Sequence, residues 1–258
     1  MAGIPSTGQS NTIGLQSITA RLMALWALLS FLGTFLLFFI PAMFTYCWPE
    51  PKSSILFTRI ARLWMDIWLP LVGCPLTLSG TEHFTKGQTY IITCNHNSLL
   101  DVPLSSPYIP GGNKTIAKKS LSKIPIFGQF YRKGAVLVDR KSEASRKESY
   151  QRMKATLEKG IHMCIYPEGT RNKTSQPLAP FHLGAFRLAV ETQTPVIPAI
   201  ILHTREALPA DRFFYFRPRR LALHFLPPVH PKPGKEATAL KDEVYAQMHQ
   251  FLEKNNSL

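Results

Sequence analysis

Acidic residues are scarce in this chain of 258. Asp and Glu total 16 against 30 Lys and Arg, a formal charge of +14. Such a deficit implies an anionic partner: lipid head groups, phosphate substrates or nucleic acid. Helix-turn-helix, zinc and RNP-like signatures are all missing, so nucleic acid is not expected as a partner. Cysteine is sparse too. Cys47, Cys74, Cys94 and Cys164 show no C-x-x-C spacing, and two of them lie in apolar strand-like runs. That excludes a metal site of the zinc type and points to buried free thiols in a reducing compartment. No Gly-x-Ser-x-Gly elbow occurs, which argues against a serine nucleophile. There is no internal repeat.

One stretch lacks charge altogether. Residues 22–40 are nearly all apolar. As a helix they reach about 28 Å, close to the ~30 Å hydrocarbon thickness of a bilayer. Pro41 then kinks or ends the helix. The uncharged polar residues before it, the length of the apolar core and the missing cleavage site exclude a secretory signal. A second segment, 54–69, sets Thr58, Arg59, Arg62 and Asp66 on one side and Phe57, Ile60, Leu63, Trp64, Ile67 and Trp68 on the other. That spacing predicts an interfacial helix with its tryptophans at head-group level. Whether the first segment spans the bilayer or forms a half-inserted pair with the second stays open. Arg21 alone precedes the apolar run, whereas Lys52, Arg59 and Arg62 follow it, which places the remainder on the cytoplasmic face.

From Pro75 onward short β-rich runs alternate with helical ones. Strands are expected at 76–79, 89–94, 135–139, 161–166, 195–201 and 221–226, and helices at 101–107, 145–159, 181–192 and 236–253. Ser145 with Glu148 reads as a capping box for the second of these helices, and Gly160 closes it. The alternation predicts a three-layer α/β domain. Residues 1–18 are expected to form a disordered polar tail, 19–72 membrane-anchoring helices (one helix or a pair), and 73–258 the α/β domain.

The residues that carry chemistry cluster at expected element ends. His96-Asn97-Ser98-Leu99-Leu100-Asp101 follows an apolar strand. On an ideal helix five residues advance about 140° net, so His96 and Asp101 do not share a face. They meet only if the chain turns between them, which Asn95, Asn97 and Ser98 favour. A carboxylate on one ring nitrogen then leaves the other free to accept a proton. Tyr166-Pro167-Glu168-Gly169-Thr170-Arg171 ends another strand. Gly169 permits a sharp turn, Arg171 carries a fork suited to phosphate, and Glu168 is placed to hold that fork or a substrate hydroxyl. Lys118-Lys119-Ser120-Leu121, Ile124-Pro125-Ile126-Phe127-Gly128 and Gly134 to Arg140 add cations at further element ends, and sheet rims are where ligands bind. Arg212 to Arg220 interleaves aromatics with arginines, either to wet the head-group layer or as an amphipathic strand flanked by surface charge.

These ordered motifs resemble the 1-acyl-glycerol-3-phosphate (lysophosphatidic acid) acyltransferases of the glycerolipid acyltransferase family. His96 to Asp101 matches that family's H-x4-D block, and Gly134 to Arg140 its second block, preceded by K-K-S-L and I-P-x-F-G. Glu168 to Arg171 matches the third block and Pro195-Val196-Ile197-Pro198 the fourth. The resemblance covers residues 75–230 and adds an N-terminal membrane anchor. It implies a mixed-sheet acyltransferase domain with His96 and Asp101 catalytic and with Arg140, Glu168, Gly169, Thr170 and Arg171, and more weakly Lys119, binding the acceptor. Acyl-CoA or acyl carrier protein is implied as thioester donor, with no cofactor, no metal, and a lysophospholipid acceptor yielding phosphatidic acid. The implied location is a membrane such as the bacterial inner membrane. Other acceptors are glycerol 3-phosphate or a lyso-ornithine lipid, and the alternative class is a non-catalytic, basic membrane-surface protein. One departure stands out. The family commonly reads F-K-x-G-A where this chain has Phe181-His182-Leu183-Gly184-Ala185, so a permanent cation becomes a titratable one.

Overall fold

The computed structural model of the protein describes residues 8–256 apart from 233 and 235. The chain opens with a helical hairpin, α1 (Gly8–Phe44) and α2 (Lys52–Leu71). Ser30 and Thr34, one turn apart in the apolar run, set its register. Their hydroxyls accept the indole N–H groups of Trp68 (3.2 Å) and Trp64 (2.9 Å), while Trp26 donates to the Leu71 carbonyl (3.1 Å). Partners that descend along α2 as they rise along α1 make the pair antiparallel.

Small and aromatic residues of α1 (Ala20, Ala24, Ala27, Phe35) face inward, and leucines (Leu22, Leu29, Leu36, Leu37) face outward. Residues 18–47 are long and apolar enough to cross a membrane, yet only 28% of the apolar window is buried. A soluble core helix hides its leucines. This one presents them, with small residues at the helix contact, as membrane helices do. The protein is membrane-associated through this hairpin.

Two expectations for the hairpin need correction. The backbone is already helical from Gly8, so the polar tail expected over 1–18 is not a separate element there. A helix nucleated in the apolar run propagates N-terminally with one hydrogen bond gained per residue fixed. Residues 1–7 lie outside the described residues. The α2 tryptophans, expected at head-group level, are buried against α1 and the sheet, whereas Leu63 and Ile67 are exposed. The helical spacing was right, but the buried stripe is rotated toward Thr58, Ala61 and Met65.

Behind the hairpin lies a mixed sheet among the described residues, ordered β1-β7-β6-β2-β5-β3-β4. The strands are β1 (Leu76–Ser79), β2 (Ile91–Cys94), β3 (Asn113–Lys118), β4 (Ala135–Val138), β5 (His162–Ile165), β6 (Val196–Leu202) and β7 (Leu221–Phe225). β6, β2, β5, β3 and β4 are parallel; β7 runs antiparallel to β6, and β1 parallel to β7. Alternate residues feed two cores. Ile92, Cys94, Ile197 and Leu223 meet the hairpin. Ile91, Met163, Val196 and Ile200 meet α5 (Glu143–Glu158), α6 (Gly184–Thr192) and α8 (Ala237–Asn256). Helices on both faces of the sheet make the expected three layers. The short helices α3 (Asp101–Ser105), α4 (Phe127–Gly134) and α7 (Thr204–Ala207) complete the domain.

Strand β3 and helix α4 were not expected from sequence. β3 (N-K-T-I-A-K) holds one large apolar residue, and α4 carries two glycines. Both are tertiary structures imposed on weak local preference. Helix α5 is capped at Ser142, whose hydroxyl accepts from the Ser145 amide (3.2 Å), not at Ser145 as expected. Ser145 instead turns its own hydroxyl to the Asp139 amide (3.0 Å).

Gly80 closes β1 at φ +79°, and a Cβ there would sit 1.9 Å from the Phe225 carbonyl oxygen of β7. Gly80→Ala therefore combines backbone strain with a clash that no rotamer relieves. The expected loss is at least about 2 kcal/mol of stability, read from urea melts in detergent. A melt matching the parent would show that the β1–β7 edge is free to shift.

Candidate active site

Five parallel strands end at one edge of the sheet, and His96, Lys119, Arg140 and Tyr166 to Arg171 leave from that edge, whereas Pro195 to Pro198 lie at the start of β6. β2 delivers His96, β5 delivers Tyr166 to Arg171, β3 leads to Lys119, β4 to Arg140, and β6 to Thr204. Because β2 lies between β6 and β5, His96 stands in the middle.

Asn95 sets the direction of the turn. Its side-chain amide donates to the Ile201 carbonyl (2.9 Å) and its side-chain oxygen accepts the Ile201 amide (2.7 Å), prolonging the β2–β6 ladder by one side chain. The chain then folds back so that Asp101, at the start of α3, faces His96. Asp101 Oδ2 lies 2.8 Å from His96 Nδ1 and accepts the amides of Asn97 (2.6 Å) and Ser98 (2.7 Å). Its Oδ1 accepts the Thr204 hydroxyl (2.6 Å). The carboxylate is fully buried, and four donors compensate the charge. An ionised carboxylate only accepts, so Nδ1 carries the ring proton and Nε2 is left with a lone pair. The Tyr166 ring covers one face of the imidazole at 4.5 Å and is itself anchored by its hydroxyl to Ser105 (2.7 Å).

On the β5 side, Gly169 adopts φ +71° and its carbonyl accepts the Arg140 guanidinium, which joins the second and third motifs. A Cβ at Gly169 would lie 2.7 Å from the His182 ring, so the residue that departs from the family pattern sits directly against this turn. Arg171 is half-buried, and its guanidinium has no protein partner among the described residues. Thr170 and Lys119 are exposed at the same edge.

Glu168 is placed otherwise than expected. It holds neither Arg171 nor open space for a substrate hydroxyl. Its Oε1 accepts the His96 amide (2.6 Å), its Oε2 accepts the Ala179 amide (2.9 Å), and it is buried. The Pro167–Gly169 turn aims it inward, where it braces the base's own backbone. Burial outweighs those two amide donors and pushes its carboxyl up to about 7.

Sequence reasoning missed Thr204, Asn95 and Tyr166 as members of this constellation. Thr204 lies 103 residues from Asp101 and no local spacing links them. The one available hint was its place just past an apolar strand. Beside Asp101, Val102 and Pro103 form one wall of an apolar hollow completed by Phe31, Trp64, Phe127 and Phe130 from the hairpin and α4. A base with a free nitrogen, a cationic turn and an apolar hollow together suit proton abstraction from an amphipathic, anionic substrate.

The Glu168 carboxyl gives a pH test. It ionises at about 7 in the fold and near its ordinary 4.5 when unfolded. Between those values the folded state holds a proton that the unfolded chain has released, so stability falls as pH rises through the window and levels off above it. The amplitude is on the order of 3 kcal/mol. Urea melts from pH 4.5 to 8 are expected to show this slope in the parent and a flatter one in Glu168→Gln. Equal slopes would assign the pH dependence to other groups.

Comparison with known proteins gives the family. The Acyltransferase family model matches residues 75–202. A 1-acyl-sn-glycerol-3-phosphate acyltransferase of Cocos nucifera is 34% identical over 178 residues, which is 67% of this chain but about half (54%) of that relative. The 1-acyl-sn-glycerol-3-phosphate acyltransferase alpha of Homo sapiens is 30% identical over 195 residues, covering 74% of this chain and 68% of that one. In structure, the 1-acyl-sn-glycerophosphate (LPA) acyltransferase PlsC from Thermotoga maritima aligns with a TM-score of 0.80 at 22% identity over 93% of this chain and 98% of that chain, a likeness of fold. The chain thus belongs to the acyltransferase family that includes the 1-acyl-sn-glycerol-3-phosphate acyltransferases.

Proposed function

We propose that the protein transfers an acyl group from an acyl thioester to the free hydroxyl of 1-acyl-glycerol-3-phosphate, giving phosphatidic acid at a membrane surface. The observation that carries this reading is the His96–Asp101 pair, which leaves Nε2 free one strand away from the Arg140–Gly169 turn. The relatives' activity supports the choice of substrate.

In this mechanism Nε2 takes the hydroxyl proton as the acceptor oxygen attacks the thioester carbonyl. The carbon–sulfur bond breaks, and the resulting imidazolium returns the proton to the departing thiolate. Asp101 orients the ring and stabilises its cationic form. No covalent enzyme intermediate forms. Arg171, Arg140 and Lys119 hold the acceptor phosphate, with Gly169 and Thr170 shaping the turn; Glu168 acts through the His96 backbone. The acyl chain lies in the apolar hollow next to Val102. The charge bias across the apolar run, Arg21 at its start against Lys52, Arg59 and Arg62 beyond it, supports a cytoplasmic sheet domain.

Purified enzyme incubated with a panel of lysolipids and both donor types, the products identified by mass, tests the reading. His96→Ala is expected to lose roughly 10²–10⁴-fold in turnover while remaining folded and membrane-bound. Parental activity in that variant would remove His96 as the base. Arg171→Ala is expected to raise KM for lysophosphatidate about tenfold. Unchanged kcat and KM would take Arg171 out of the site.

A further inference from the structure

The loop between α7 and β7, residues 208–220, has no part in the mechanism above. It holds one acid, Asp211, against Arg212, Arg217, Arg219 and Arg220. Between the first two of these arginines stand Phe213, Phe214, Tyr215 and Phe216. Phe216 is buried and pins the loop to the core. Phe213 is 95% exposed, more than any other large apolar side chain among the described residues. Phe214 beside it is also exposed and holds φ +49°, a left-handed backbone that a phenylalanine adopts only under strain. Strain is thus tolerated at a tip that hides none of its apolar surface.

That tip stands at one end of the helical hairpin. The Phe216 amide donates to the Ala20 carbonyl of α1 (3.2 Å), and Pro218 sits so close to the turn after α2 that a Cβ at Gly73 would lie 2.9 Å from it. Trp26 and Leu71, joined by the indole hydrogen bond, mark the same end, and both are exposed, as are Ile18 and Leu22. The aromatic tip therefore continues the apolar face that the hairpin turns to lipid. Arg21 on α1 and Arg212, Arg219 and Arg220 on the loop are exposed alongside it.

We infer that this loop is a second membrane contact: Phe213 and Phe214 enter the interface of an anionic bilayer, and Arg212, Arg219 and Arg220 bind its phosphate head groups. Aromatics interleaved with cations are the pattern of a segment lying at head-group depth. Guanidinium forks match phosphate oxygens. Taking one phenylalanine side chain out of water is worth roughly tenfold to hundredfold in partition, and a cation beside an anionic leaflet about fivefold. Lipid is favoured over a protein partner because the tip adjoins a hairpin face that lipid already covers. The Ser98 hydroxyl donates to the Leu208 carbonyl (2.7 Å), so the loop that meets lipid at its tip is tied at its start to the His96 turn. The inference rests on the hairpin lying in lipid and not on acyl transfer.

The experiment uses the full chain carrying Phe213→Trp. It is reconstituted into vesicles of phosphatidylcholine, alone or mixed equally with phosphatidylglycerol, with plain or brominated acyl chains. The parent, with Trp26, Trp48, Trp64 and Trp68, is the reference. In the anionic vesicles the emission of the added indole is expected to shift to the blue and to be quenched by the brominated chains, and in the neutral ones much less so. Arg212→Gln, Arg219→Gln and Arg220→Gln together are expected to reduce the anionic signal to the neutral level. Added salt reduces it without a further substitution, should that variant fail to fold. An added indole that stays unquenched in anionic vesicles while the parent's tryptophans are quenched overturns the inference and leaves the hairpin anchor standing. Quenching of neither overturns both contacts. Equal quenching in the two kinds of vesicle, or a signal that neither salt nor the arginine substitutions reduce, overturns the inference too, because the arginines would then take no part.

Discussion

The buried carboxylate of Asp101 is the constraint around which the site is organised. An uncompensated charge in that position would cost several kcal/mol or be lost by protonation. Its four donors come from separate parts of the chain: the His96 ring, two consecutive amides of the turn, and the Thr204 hydroxyl at the end of β6. To satisfy that one group the chain must fold back directly after β2, and β6 must lie next to β2. The imidazole must also present Nδ1 inward. A free Nε2 follows from electrostatics in the core, not from any contact with substrate.

The parallel sheet turns that constraint into a site. Strands that run the same way end at the same edge, so each loop that follows brings its polar residues to one rim. β2 is central, so the loops that follow β6 and β5 flank His96. Glu168 and Asn95 act one layer beneath: Glu168 holds the His96 amide, and Asn95 pins the preceding residue to Ile201 of β6. The base is thereby held in ring, tautomer and backbone by groups that never need to touch the acceptor.

Much of this was legible in the sequence because it depends on local rules. The His96–Asp101 interval is incompatible with a shared helical face, which predicts a turn, and a turn is present. Strands with continuous apolar runs, such as Val196–Leu202, were evident from composition. Where residues answered to distant partners, the reading failed. β3 is a strand because β5 and β4 flank it, not because N-K-T-I-A-K prefers extension. Glu168 was expected to hold Arg171 or a substrate hydroxyl, but two backbone amides claim it. The α2 tryptophans had the right period and the wrong destination, since Ser30 and Thr34 of another helix supply their hydrogen-bond partners.

The hairpin joins an apolar outer face to the domain that carries the site. Its outward leucines favour lipid, yet its other face is part of the sheet's core through Trp64, Trp68 and Leu69. The Phe216 amide donates to the Ala20 carbonyl near the start of the apolar run, and Lys133 of α4 reaches Ser53 at the opposite end of the hairpin. The hairpin is thus bound to the domain at both ends. The apolar hollow beside Asp101 is built partly from Phe31 and Trp64 of that hairpin, so the hairpin belongs to the candidate site as well as to the core. The carboxylate of Asp101 takes up the Nδ1 side of the ring, and the Nε2 side is the one left for the candidate site.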